Sequence, residues 1–124
     1  MSEAAESLAA SVFARECASR QTLHNATSRW AVLVLAALTE GDYRFNALRR
    51  RVDGVSERML AQTLQTLERD GLTVRTVLET IPPKVQYSLT PLGREVGSRL
   101  TDLIELIEGS MPTVLESRAE HDAR

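Results

Sequence analysis

The chain has 124 residues, close to the commonest size of a single domain, and its 43% hydrophobic and 26% charged residues are ordinary for a folded globular protein, which argues against disorder through the middle. The net charge of −2 excludes a uniformly basic nucleic-acid binder, yet Arg44 to Lys84 holds eight basic and five acidic residues, a local net of +3 between acidic flanks. One cysteine excludes an intrachain disulfide framework, as suits a reducing cytoplasm, and with only His24 and His121 as histidines it excludes an intrachain zinc set.

The N-terminus MSEAAESLAA is acidic and lacks the apolar stretch of a signal peptide. Ala4 to Arg15 is rich in good helix formers and is read as helix. The apolar run Trp30 to Leu38 is far shorter than the roughly 20 residues of a membrane span, so it is read as a buried central helix. In the following GDYRFNALRRRVDGVS, Phe45 and Leu48 point inward at helical spacing. Arg49, Arg50 and Arg51 form a basic run, and Asp53-Gly54 signals a turn.

Ser56 then reads as a helix N-cap, with Glu57 in the first turn where the helix dipole favours a negative charge. Leu60, Leu64 and Leu67 recur at the spacing of one buried face. Arg58, Ala61, Gln62, Gln65 and Arg69 occupy the other face, and Gly71 closes the helix. From Thr73 to Leu78 and from Lys84 to Leu89 the residues alternate as in two half-buried strands, and Ile81, Pro82, Pro83 and Lys84 form a stiff tip. Thr90 caps a last long helix with Pro91 in its first turn. Its apolar stripe of Leu92, Val96, Leu100, Leu103, Ile104 and Ile107 is wider than so small a domain needs. Gly109 and Pro112 interrupt it, Leu115 belongs to a short final helix, and AEHDAR is a polar tail.

A helix with an apolar back and a polar front, running into a basic-tipped hairpin, is the layout of a winged helix-turn-helix, which sets its second helix in the major groove of duplex DNA. Arg and Gln match the edges of guanine and adenine there. Nothing in the chain supports enzyme chemistry, a metal or another cofactor: no glycine-rich phosphate loop exists, and Cys17 and His24 are too sparse a pair for a catalytic or metal site. The fold class expected is therefore mainly α with a small β-hairpin wing (α+β). The competing reading is a winged helix used for protein interaction without DNA, and a third is a regulator that binds a small apolar effector at a dimer interface.

The residues also resemble the HxlR-type winged helix-turn-helix transcriptional regulators, from Cys17 to about Leu106. The resemblance is carried by Cys17, Trp30, Arg44-Phe45-Asn46, Gly54-Val55-Ser56, Met59-Leu60, Leu67-Glu68, Asp70-Gly71-Leu72 and Arg75. Most specific is Pro82-Pro83 followed by Val85 and Tyr87-Ser88-Leu89-Thr90. The chain departs from the family pattern at Ala18, where proline is usual, at Thr27-Ser28-Arg29, at Gln65 and at Val77.

The resemblance implies a cytoplasmic homodimer, bound to a double-stranded inverted repeat and built from three parts. These are an N-terminal dimerisation arm (1–20), the DNA-binding domain (21–90) and a C-terminal dimerisation helix with its tail (91–124). Recognition-helix contacts fall to Ser56, Glu57, Arg58, Ala61, Gln62 and Gln65. Phosphate and wing contacts fall to Arg44, Asn46, Arg49, Arg51, Arg75, Pro83 and Lys84. The dimer interface falls to Leu8, Val12, Phe13, Leu100, Leu103, Ile104 and Ile107. Some family members sense oxidants or electrophiles through the N-terminal cysteine, which makes Cys17 a candidate redox sensor and a small-molecule or electrophile effector a candidate partner. Arg15 and Arg20 near it in sequence favour a thiolate and Glu16 opposes it, and the plain alternative is a small buried apolar residue.

Overall fold

The apolar run at Trp30 becomes the middle of the molecule. In the computed structural model, which describes residues 12–124, helix α2 (Arg29–Glu40) buries Ala31, Val34, Leu35, Ala37 and Leu38. Around it lie α1 (Ala18–Thr27), the short α3 (Phe45–Arg51), α4 (Glu57–Arg69) and the long α5 (Pro91–Gly109), with α6 (Met111–Asp122) continuing from α5. Leu48 of α3, the Leu60/Leu64/Leu67 stripe of α4, Leu72, Leu89 and Leu100 complete one core. It is a winged helix, with six helices and a three-stranded antiparallel sheet among the described residues.

The sheet has the order β1-β3-β2, formed by β1 (Tyr43–Arg44), β2 (Thr73–Thr80) and β3 (Pro83–Leu89). Thr73 faces Leu89 and Arg75 faces Tyr87, while β1 pairs Tyr43 with Tyr87 on the other edge of β3. The register slips between Val77 and Glu79, so the ribbon is irregular near its tip. Its root is welded to the core through Leu72, Thr73 and Leu89, and Tyr87 lies against Phe45 at 6.4 Å between ring centroids.

Helix α5 approaches this root closely. A Cβ at Gly93 would collide with the carbonyl of Leu72, so only glycine lets the first turn of α5 settle there. The same turn is capped by the Thr90 hydroxyl, which accepts from the Gly93 amide and donates to the Gly71 carbonyl.

Several expectations change. The expected helix over Ala4 to Arg15 lies outside the described residues up to 11, and residues 12–16 are turns and bend, not helix. Among the described residues the first helix runs from Ala18, after Cys17, over a stretch whose mixed polar sequence carries little periodicity. Strand β1 was not anticipated either, because two residues are too few for a pattern. The hairpin does not alternate buried and exposed residues: beyond Thr73, β2 is exposed on both faces, since this ribbon stands away from the core. Pro83 and Lys84 belong to β3, so the tip narrows to Ile81 and Pro82. The final helix runs to Asp122 and takes in most of the tail.

Candidate nucleic-acid interface

Helix α4 is presented by its ends. The Ser56 hydroxyl accepts from the Met59 amide at 3.1 Å, occupying one orphan donor of the first turn. Gly71 turns the chain away at φ 75°, a conformation that favours glycine. Between these stops Leu60, Leu64 and Leu67 are buried, so Glu57, Arg58, Ala61, Gln62, Gln65 and Arg69 are left exposed on the outer surface. An i, i+4, i+7 row of Arg58, Gln62 and Gln65 is thereby held on a rigid, capped helix.

Helix α3 and the wing frame a second feature. A cavity of about 490 Å³ opens between them, lined by Arg44, Phe45, Asn46, Ala47, Arg50, Pro83 and Val85. It gathers three residues expected to meet phosphate or the wing contact (Arg44, Asn46 and Pro83) and adds Arg50, which was left out of that set. The signal for Arg50 was available, since it follows Asn46 by one helical turn.

The basic side chains divide into two groups. Arg51 makes a bidentate pair with Glu40, at 2.8 Å from Nε and 2.7 Å from Nη2. The Tyr43 hydroxyl donates to the same carboxylate at 2.9 Å. The Arg51 hydrogen bond first, and that from Tyr43 second, hold the Glu40 carboxyl below its ordinary pKa. The Glu40 carboxylate in turn raises both Tyr43 and Arg51. Arg49 pairs with Glu57 at 3.3 Å and Lys84 with Glu79 at 3.4 Å. Three cations expected to serve phosphate thus already have carboxylate partners. Among the described residues Arg44, Arg50, Arg58 and Arg75 form no ion pair, and all four are exposed.

The residues expected at the dimer interface also divide. Leu8 lies outside the described residues. Phe13 is 83% exposed and Val12 half-buried. Leu100 is buried, 7% exposed, in the core of the chain itself. Ile104 is half-buried along a groove between α2 and α5, whereas Leu103, Leu106 and Ile107 are exposed in a row along α5.

Cys17 stands at the N-cap of α1, half-buried, with its sulfur 2.9 Å from the Ser19 hydroxyl. Helix α1 is tied to the end of α4 by the Asn25 amide, which donates to Asp70 at 2.9 Å. No helix among the described residues is long and apolar enough to cross a membrane, and none of their His, Cys, Asp and Glu side chains cluster as a metal site.

Comparison with known proteins places this geometry in context. The HxlR-like helix-turn-helix family matches residues 26–114. The uncharacterized HTH-type transcriptional regulator YtfH of Escherichia coli K12 is 51% identical over 112 residues, covering 90% of this chain and 89% of YtfH. The solved structure of ytfH from Salmonella typhimurium superposes with a TM-score of 0.81 at 50% identity, over 86% of this chain and 96% of that one. The redox regulator HypR, solved in its reduced form, superposes with a TM-score of 0.71 at 35% identity, over 80% and 97% of the two chains.

Proposed function

Because the chain belongs to the HxlR-like helix-turn-helix family of transcriptional regulators, we propose that it is a sequence-specific regulator that binds double-stranded DNA at an inverted-repeat operator as a homodimer. The observation that carries this reading is the exposed Arg58, Gln62 and Gln65 row on a capped helix, together with a cleft between α3 and the wing lined by Arg44 and Arg50. The row supplies side chains that read base edges. The cleft supplies guanidinium groups for the backbone. In this reading residues 21–90 form the reading head, 91–124 supply the dimer helix and the protein works in the cytoplasm.

A gel shift on the DNA beside its own gene tests the function. The expected result is specific binding that weakens linearly in log–log terms as salt rises. Binding to no duplex at low salt favours the protein-interaction reading instead.

The finer part of the proposal is control through Cys17, supported by the likeness to HypR and by the Asn25–Asp70 link from α1 to the reading helix. Two Cys17 thiols, one from each protomer, would lose two protons and two electrons to an added oxidant and join as a disulfide. Helix α1 would then shift α4. Diamide is expected to change operator binding of the wild type and leave Cys17→Ser unaffected. Equal binding in all four conditions makes Cys17 structural and moves regulation to a non-covalent effector, for which the groove of about 540 Å³ beside Ile104 is a candidate place.

A further inference from the structure

Glu57 is out of place on a surface that meets phosphate. It is the first residue of α4, its side chain is 68% exposed, and its negative charge opposes the approach of DNA. The helix dipole favours a negative charge here, and the Ser56 hydroxyl occupies one orphan amide of the first turn, that of Met59. The charge is also not left loose. Arg49, from α3, holds Oε1 at 3.3 Å, which offsets the charge and restrains the side chain.

An acceptor-only group held at the N-terminal end of a recognition helix has a narrow choice of bases. That end is the part of the helix that contacts base edges. In the major groove guanine offers N7 and O6 and thymine offers O4, all acceptors, which repel a carboxylate. Adenine offers a donor at N6, but its N7 acceptor lies alongside. Cytosine offers its N4 amino donor without a neighbouring acceptor on the same base. We propose that Glu57 is a specificity-determining residue that accepts a hydrogen bond from a cytosine N4 amino group in each half-site, and that Arg49 is its positioning residue. The proposal deepens the DNA-reading function above and rests on it.

The test is selection of bound duplexes from a random library by the full-length wild type, Glu57→Ala and Glu57→Gln, read out as base frequency at each operator position. The wild type is expected to enrich cytosine at one position per half-site. Glu57→Ala is expected to lose about tenfold of that preference, leaving other positions unchanged and raising affinity for unrelated DNA, since a negative charge is gone. Glu57→Gln is expected to move the preference to adenine, which glutamine matches through N6 and N7. A helix-stabilising role alone would not produce that switch. Unchanged cytosine enrichment in both variants, or a loss spread evenly over all positions, overturns the role of Glu57 while leaving DNA reading intact. A wild type that enriches no sequence overturns the DNA-reading function and this proposal with it.

Discussion

Arg50 and Arg51 are neighbours with opposite surroundings. Arg50 faces the cleft shared with the wing, whereas Arg51 reaches back to Glu40 and ties the end of α3 to the end of α2. Arg50→Ala is therefore expected to reduce the salt slope of DNA binding by about one. Arg51→Ala is expected to lower the thermal midpoint and to change that slope less. Gel shifts at several salt concentrations, with a melt of each variant, separate the two. On the reading helix, Arg58→Ala and Gln62→Ala are each expected to weaken operator binding by about 1–3 kcal/mol while leaving unrelated DNA less affected for Gln62 than for the charged Arg58. Specific binding that survives both changes would remove α4 from the reading role. The Glu40 clamp also has a pH signature. Its carboxyl is held below the ordinary value, chiefly by Arg51, so the stabilisation is complete above the ordinary glutamate range and is lost as pH falls through the depressed value. Wild type should melt above Glu40→Gln at neutral pH, and the gap should close in acid.

At the scale of elements, the caps and one close contact hold α4 and the wing root in place. Loss of the hydroxyl in Ser56→Ala leaves the Met59 amide without its acceptor and is expected to destabilise by about 0.5–2 kcal/mol. Gly93→Ala drives a methyl group into the Leu72 carbonyl and is expected to destabilise by about 1–3 kcal/mol or more, because backbone on both sides must move. Denaturant melts give both values, and a Gly93→Ala protein as stable as wild type would mean that α5 sits farther from the wing root. The wing owes its position to that root and to β1, with Gln86 donating to Asp42 at 3.0 Å as a further tether. Its outer half, with Val77 and Leu78 about half exposed and Ile81 92% exposed, has little core of its own.

For the whole molecule, the exposed row of Leu103, Leu106 and Ile107 on α5 carries the dimer proposal. A double change, Leu103→Glu with Ile107→Glu, is expected to shift the protein toward monomer in sedimentation at micromolar concentration and to weaken operator binding while sparing the fold. A wild type that sediments as a monomer would sink the proposal. Two-fold symmetry would set the paired α4 helices about one DNA turn apart, roughly 34–36 Å.

Much of this fold was legible in one dimension. The Leu60, Leu64 and Leu67 stripe, Ser56 before it and Gly71 after it determine α4 by local rules of period and capping, and the apolar run at Trp30 determines a buried helix. The exposed Arg58, Gln62 and Gln65 row follows directly, as the complement of that stripe. Helix α1, strand β1 and the burial of the hairpin were not legible. Their order comes from contacts distant in sequence: Asn25 with Asp70, Tyr43 with Tyr87, and Thr73 with Leu89. The same holds for charge. Composition located a basic stretch between Arg44 and Lys84, but only the packing of α3 against α2 gave Arg51 to Glu40, and only the hairpin register gave Lys84 to Glu79. Periodicity states which side of a helix is buried. Which partner each exposed cation meets depends on where the next element lies, and tertiary structure alone decides that.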